Sequence, residues 1–415
     1  MKHLSILGRP EHLKVAARHP AHVTCFRMKN RTCLVILFGL IPLWVFSQGI
    51  RITHGPYLQS VGENEATIVW TTDQHAVSWV ELAPAGDDSF YATERPPYYQ
   101  TRDGNRVVGK LHKVTLSGLA KGTEYRYRIF SKEVLHYGGQ ERVLYGNIAA
   151  SEVYGKKPLR FTTFDSSKPD VSFLVVNDIH GRVADLKALS RNVGYGRTDL
   201  VVFNGDMVSY MEDEQQFFAG FMDESVNLFA GEVPVFYARG NHETRGKFNV
   251  DFSAYFPTRT GKLYYSFRLG PVHFIVLDSG EDKPDSDIEY SGLAQFDAYR
   301  AEQQEWLKNE LQSEAFRSAK YRIVVIHIPP SETGWHGTIQ VREKFLPILN
   351  NAGITAMFCG HEHRYKYMEP DARTHDFPIL INDTNTALEV RATSTEMSVK
   401  RKDTNGKEVN SFTYR

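Results

Sequence analysis

The chain predicts two folded parts in tandem, an all-β sandwich followed by a layered α/β domain. Three observations carry that expectation. Short runs that alternate apolar and polar residues, parted by Gly, Pro and Asp, fill the chain from about Ile50 to Phe164. From Val171 onward, apolar strand runs alternate with stretches of helical spacing. Within that second part, five short clusters rich in Asp, Asn and His each follow an apolar run. A length of 415 residues leaves ample room for two domains.

The N-terminus comes first. After Met28 the sequence reads Lys29-Asn30-Arg31, then an apolar stretch from Cys33 to Phe46, then Ser47-Gln48-Gly49. A basic start, a short apolar core and small or polar residues beyond it describe a secretory signal. The stretch is short for a membrane span and contains Pro42. Residues 1–48 are therefore expected to be an upstream segment and signal peptide, with translation starting at Met28. The mature protein is expected to be secreted or periplasmic, without a membrane span. A retained anchor is the alternative. Of the three cysteines, Cys25, Cys33 and Cys359, only Cys359 survives removal of such a leader, so no intrachain disulfide is expected. The net charge is zero and no basic stripe with interleaved aromatics stands out, so no nucleic-acid partner is expected.

In the first domain, Ala66 to Thr72 and Val77 to Leu82 alternate as two strands. His112 to Leu116 and Tyr125 to Ile129 follow, around a turn at Gly118 and Gly122. The stretch Leu116-Ser117-Gly118-Leu119, then Gly122-Thr123-Glu124-Tyr125, resembles the late strands of fibronectin type III domains. Ser166 to Pro169 reads as a polar linker, which puts the domains at 49–165 and 170–415. In the second domain, strands are expected at Val171 to Asn177, Leu200 to Phe203, Val233 to Tyr237, Leu263 to Phe267 with Val272 to Leu277, Arg322 to Ile326 and Ile354 to Phe358. Helices are expected at Leu186 to Asn192, Glu212 to Phe229, Leu293 to Phe316 and Gln340 to Asn350. Leu388 to Val390 and Met397 to Val399 read as closing strands.

The clusters carry the chemistry. They are Asp178-Ile179-His180, Gly205-Asp206, Gly240-Asn241-His242-Glu243, His327 after Val324-Val325-Ile326, and Gly360-His361-Glu362-His363. Together they supply carboxylates, a carboxamide and imidazoles in about the number that two adjacent divalent ions need, a known solution to phosphoester hydrolysis. All stand where a strand run ends, the edge of a layered sheet at which distant loops converge. Singly each is weak: Gly-Asp can be a turn, and His327 before Pro329-Pro330 can be a core histidine. Five in this order are not explained that way.

The order Asp-x-His, Gly-Asp, Gly-Asn-His-Glu, a lone His and Gly-His-x-His resembles the calcineurin-like metallophosphoesterase superfamily over roughly Asp170 to the C-terminus. Gly55-Pro56-Tyr57-Leu58-Gln59 is similar to the opening of the domain that precedes it in purple acid phosphatases and their bacterial relatives. The resemblance implies a four-layer α/β/β/α sandwich behind a fibronectin type III-like domain. It also implies a metal-dependent hydrolase of small-molecule phosphate esters, acting through a metal-bridging hydroxide. Asp178, His180 and His363 are then expected on one metal, Asn241, His327 and His361 on the other, with Asp206 bridging. Borderline metals such as iron, zinc or manganese, divalent or mixed-valence, suit such donors. Asp206 and His242 are the expected catalytic residues, His242 assisting the leaving group or transition state. Glu243 either orients His242 or is a solvated loop residue.

One departure narrows the resemblance. Purple acid phosphatases have Gly where His180 stands, and a metal-bound Tyr at the position occupied here by Ser209, with Tyr210 one residue later. Tyrosinate-to-iron colour is therefore not expected. His336 and Trp335 are candidate substrate contacts, and Arg182 and Arg239 are either phosphate contacts or surface salt bridges. Glu281 to Asp287 reads as a solvated acidic loop. A phosphodiesterase or nucleotidase rather than a monoesterase remains open, as does a cell-surface binding protein with an inert phosphoesterase domain.

Overall fold

A computed structural model describes residues 49–415, except 140–141 and 153–154. The expected start at Met28, the apolar run to Phe46, Cys25 and Cys33 all lie outside the described residues. Cys359 is buried and unbridged.

The leading β part is antiparallel throughout. The two strands read at Ala66 to Thr72 and Val77 to Leu82 are one strand, Glu65–Pro84. Its pairing is irregular between Thr71 and Ala76, where Thr72 Oγ1 donates to the Gln74 carbonyl at 2.7 Å and Gln74 and His75 face solvent. A bulge of this kind bends a strand and lets it change partners. Ahead of it the strand pairs with Ile52–Gln59 and most of Val108–Ser117, whose first residues continue past it, and beyond it with Glu124–His136 and Pro97–Tyr99. Trp70, Leu82, Tyr127 and Phe161 fill the interior so enclosed.

Behind it stand two six-stranded sheets. The first runs Val235–Ala238, Leu200–Asn204, Val171–Val176, Thr386–Ala392, Met397–Asp403 and Glu408–Tyr414, the first three strands parallel. The second runs Tyr265–Leu269, Val272–Val276, Tyr321–Val325, Ala356–Cys359, Ile379–Ile381 and Lys366–Met368, with its middle four parallel. Alternation of side chains along each strand builds the layers. Phe173 and Val175 pack between the sheets against Phe274 and Ile323, while Leu174 and Val176 face helices through Leu186 and Phe221. On the far side Val324 and Ile326 meet Leu307, Val341 and Phe345. The result is the expected α/β/β/α order.

Helix limits differ from the periodicity. The long helix expected from Leu293 to Phe316 is Phe296–Glu310, then a separate Glu314–Arg317. The break falls where the Ser313 hydroxyl caps the second helix by accepting from Phe316 N–H, and Leu293 is exposed. Likewise Gln340 to Asn350 is His336–Lys344 followed by Leu346–Leu349, parted at Phe345, with Pro347 in the first turn of the second. Glu408–Tyr414, unforeseen, is a polar edge strand lacking an apolar run.

Ser166 to Pro169 is no loose tether. Ser166 N–H donates to Glu63, Lys168 pairs with Asp199, and Gly270 N–H donates to the Asp165 carbonyl. The Tyr57 and Tyr127 hydroxyls donate to the carbonyls of Tyr255 and Gly231. Apolar contact is continuous from Leu58 and Phe164 into the inter-sheet core, so the described residues form one compact unit.

Candidate metal centre

All five clusters lie just past the C-terminal ends of parallel strands. Val171–Val176, Leu200–Asn204 and Val235–Ala238 deliver the first three from one sheet. Tyr321–Val325 and Ala356–Cys359 deliver His327 and the Gly-His-Glu-His segment from the other. Because the sheets are stacked, both sets of loops open into the same space. Buried Asn204 fastens the sheets together there, its amide donating to the carbonyls of Ile326 and Phe358.

The loops brace one another through the backbone. Asp178 N–H donates to the Gly205 carbonyl, His180 N–H to that of Asp206, and Gly360 N–H to that of His327. Nine non-glycine residues among those described have positive φ, and five of them are Asp178, His180, Asp206, His361 and His363. Each such residue costs about 1 kcal/mol or more, and this concentration marks strain held at one place by its surroundings. Close approach also dictates glycine: a Cβ on Gly240 would strike Asp206, and one on Gly360 would strike Asp178.

Two donor groups result, each with its nitrogen and oxygen atoms within 4.8 Å of one another. Asp178, His180, Asp206 and His363 form one; Asp206, His327 and His361 form the other. Asn241 Oδ1 lies 3.0 Å from His361 Nδ1, beside the second group. Asp178 Oδ1 is buried 3.2 Å from His363 Nε2, and His327 Nε2 is buried 3.0 Å from Asp206 Oδ2, yet neither atom is aligned for a hydrogen bond. Buried polar atoms without partners are costly, and a shared cation satisfies them. His180 Nε2 and His363 Nε2 face each other at 3.1 Å. His327 Nδ1–H donates to the Asn204 carbonyl at 2.7 Å, which leaves Nε2 free as a ligand atom. This oxygen and nitrogen donor set, with no thiolate in it, fits a pair of borderline metal ions.

Electrostatics of the protein alone agree. Burial opposes charge on His327, but Asp206 and Asp178 lift its pKa to about 10. Burial also opposes charge on Asp206, yet His327 beside it holds that carboxyl below the usual carboxylate range. Burial prevails at His180, pushing its pKa down to about 4 against the pull of Asp206 and Asp178. A protonated His327 thus stands where positive charge is needed.

Other candidate residues fall variously. His242 Nδ1–H donates to the Ser209 carbonyl at 2.9 Å, and Nε2 lies 3.8 Å from Asp206 Oδ2. Glu243 neither orients His242 nor meets solvent. It is fully buried and accepts from the N–H groups of Asp206, Gly240 and Met207 and from the Tyr237 hydroxyl, clamping the loop that carries Asp206. Burial, then the charge of Asp206, raises its pKa. Ser209 Oγ sits 3.3 Å from His180 Nδ1, and Tyr210 is exposed. His336 is not drawn into the donor groups: it opens a helix and its Nε2 pairs with Asp297 at 2.8 Å. Trp335 is half exposed, with Lys283 Nζ 5.8 Å from its ring centre. Arg239 is neither a phosphate contact nor a surface bridge but a buried partner of Asp278 at 2.9 Å. Arg182 donates to the carbonyls of Asp178 and Thr384. Glu281, read as solvated, is buried and holds Arg245, which sequence reasoning passed over. A cavity of about 710 Å³, lined by Phe164, Phe236, Phe267 and Trp306, includes none of the clustered residues.

Comparison with known proteins places this geometry. Residues 171–365 match the calcineurin-like phosphoesterase family, and residues 54–151 match the purple acid phosphatase N-terminal domain. An uncharacterized protein of Mycobacterium tuberculosis is 27% identical over 359 residues, covering 76% of this chain and 62% of its own. Purple acid phosphatase 18 of Arabidopsis thaliana is 23% identical over 332 residues, covering 75% of this chain and 65% of its own. The chain thus spans somewhat under two thirds of the length of these curated relatives. The structure of a purple acid phosphatase from yellow lupin seeds shares the fold, with a TM-score of 0.64, 16% identity, and coverage of 86% and 73% of the two chains. The chain thus carries a calcineurin-like phosphoesterase domain behind a purple acid phosphatase N-terminal domain.

Proposed function

We propose that this protein hydrolyses phosphate esters at a dinuclear metal centre. Asp178, His180 and His363 would hold one ion, Asn241, His327 and His361 the other, and Asp206 both. The observation that carries the reading is the membership of Asp206 in both donor groups, since one shared carboxylate is what two adjacent cations require. When bound, such a pair supplies Lewis acidity towards phosphoryl oxygens and an activated water near neutral pH. Iron, zinc and manganese suit the donors.

The chain's own residues supply positioning and a proton. The Ser209 carbonyl holds the His242 ring through Nδ1–H, so that Nε2 faces Asp206. Protonated at both nitrogens, His242 can donate from Nε2 to the leaving oxygen. Glu243 keeps the Asp206 loop from drifting by accepting several N–H groups at once. We assign residues 49–165 and 170–415 as the two domains; the family matches at 54–151 and 171–365 fall within them. Export rests on the leader read at Met28. No helix among the described residues is long and apolar enough to cross a membrane.

The test is reconstitution. Protein stripped of metal and reloaded with manganese, zinc or iron should turn over an aryl phosphate mono- or diester. Failure with every metal on both substrates sinks the reading. His361→Ala should lose a metal, whereas His242→Ala should keep both and lose rate by roughly two to four orders of magnitude. Equal metal content and activity in wild type and His361→Ala would refute the ligand assignment.

A further inference from the structure

We propose that Arg245 contacts substrate, its Nη1 receiving an unesterified phosphoryl oxygen of the bound ester beside the leaving oxygen that His242 Nε2 serves. The proposal rests on the phosphoesterase reading above.

Arg245 follows the short turn His242–Thr244, which places it three residues after His242. One edge of its guanidinium is spoken for: Nε and Nη2 donate to Glu281 Oε1 and Oε2 at 2.9 and 3.2 Å. That anchor is itself fixed. Glu281 is buried, also accepts from the Thr244 hydroxyl at 2.8 Å, and its carbonyl accepts from buried Arg300. Two parallel N–H···O contacts to a braced carboxylate hold a guanidinium in one orientation. Nη1, by contrast, is bonded to no carboxylate among the described residues. It makes one hydrogen bond among them, to His242 Nε2 at 3.4 Å, the outer limit of such a contact, and Asp282 Oδ1 stands 3.7 Å from the adjoining Nη2.

His242 Nε2 is also the ring atom not used by the Ser209 carbonyl, and it lies 3.8 Å from Asp206 Oδ2. Nη1 of Arg245 therefore borders the donor groups. Its side chain is 21% exposed and that of His242 23%, so an incoming anion can reach both. A pure loop brace would need only the Glu281 edge.

Other arginines beside the clusters lack this combination. Arg182 is committed to two carbonyls and Asp185, and Arg239 to Asp278. Arg364 stands 72% exposed with only Glu362 at 3.4 Å. Arginine also suits the position better than lysine, because a single ammonium cannot grip Glu281 in two places and still offer a directed N–H.

The experiment compares metal-loaded wild type with Arg245→Met. Inorganic phosphate binding is measured by calorimetry, and kcat/KM on an aryl phosphate monoester and a bis(aryl) phosphate diester. At wild-type metal content, the variant should bind phosphate on the order of ten- to a hundredfold more weakly. It should lose more on the monoester, whose dianion offers an additional unesterified oxygen, than on the diester. Wild-type phosphate affinity in the variant, or equal losses on the two esters, overturns the proposal. If Arg245→Met does not load metal, Arg245→Gln, which keeps an amide donor for Glu281, carries the same measurements. Wild type that hydrolyses neither ester sinks the phosphoesterase reading instead, and the calorimetric comparison still decides on Arg245.

Discussion

The two donor groups share Asp206 but are built differently. In the second, His327 is wholly buried and its ring is fixed by the Asn204 carbonyl, on the same residue that ties the two sheets together. In the first, the His363 side chain is 50% exposed and the Nδ1 of His180 is held by a serine hydroxyl at 3.3 Å rather than by a backbone carbonyl. A ligand held by a backbone carbonyl loses little freedom on binding metal, while one at the surface must be ordered first. We therefore expect the second position to retain its ion and the first to exchange it.

The largest effect should come from the shared residue. Asp206→Asn removes the charge common to both groups, so metal analysis should show both ions lost and turnover down by about a thousandfold or more. Retention of two ions per chain would break the picture of a shared ligand.

Next comes the contrast itself. His327→Ala leaves the Asn204 carbonyl unpaired and a cavity in the interior, costing about 2–4 kcal/mol in denaturant unfolding of the metal-free protein. His363→Ala, half exposed, should stay within about 0.5 kcal/mol of wild type and lose only the first ion. A chelator titration of wild type should likewise remove one ion well before the other. Simultaneous loss, or equal destabilisation by the two variants, would erase the distinction.

The smallest effect is in pH. In the metal-free protein the folded pKa of His327 is raised to about 10, above the unfolded value. Its charge therefore contributes stability that is fully present below about pH 6.5 and is lost as pH rises through about 10. Binding a cation at His327 Nε2 displaces that proton, so affinity at the second position should rise with pH across this window. Zinc affinity that is flat from pH 7 to 9 would contradict the assignment of His327 as a ligand.

Much of this was readable in advance. Each cluster follows a run of four apolar residues, a length that suits a strand buried on both faces better than a helix. Their ends had to be loops, and the donors were on those loops. Burial of charge was not legible. Glu243 and Glu281 look like loop carboxylates in sequence, because what buries them comes from elsewhere: the Asp206 loop for one, Arg245 and Arg300 for the other. Arg245 gave no signal for the same reason. The helix from Leu293 misled because its polar, helix-favouring residues run past the Ser313 cap.

By itself the sequence determined the donor types, their order, the strand endings that present them and the layered class of the fold, since these follow from local periodicity and side-chain chemistry. The tertiary structure alone decided which donors meet and that the β part packs into the same core. It alone set a protected ligand group beside an exposed one and turned Arg245 so that Nε and Nη2 are anchored on Glu281 while Nη1 faces His242. Those outcomes depend on distances between residues up to about 200 positions apart, which only the stacking of the two sheets can set.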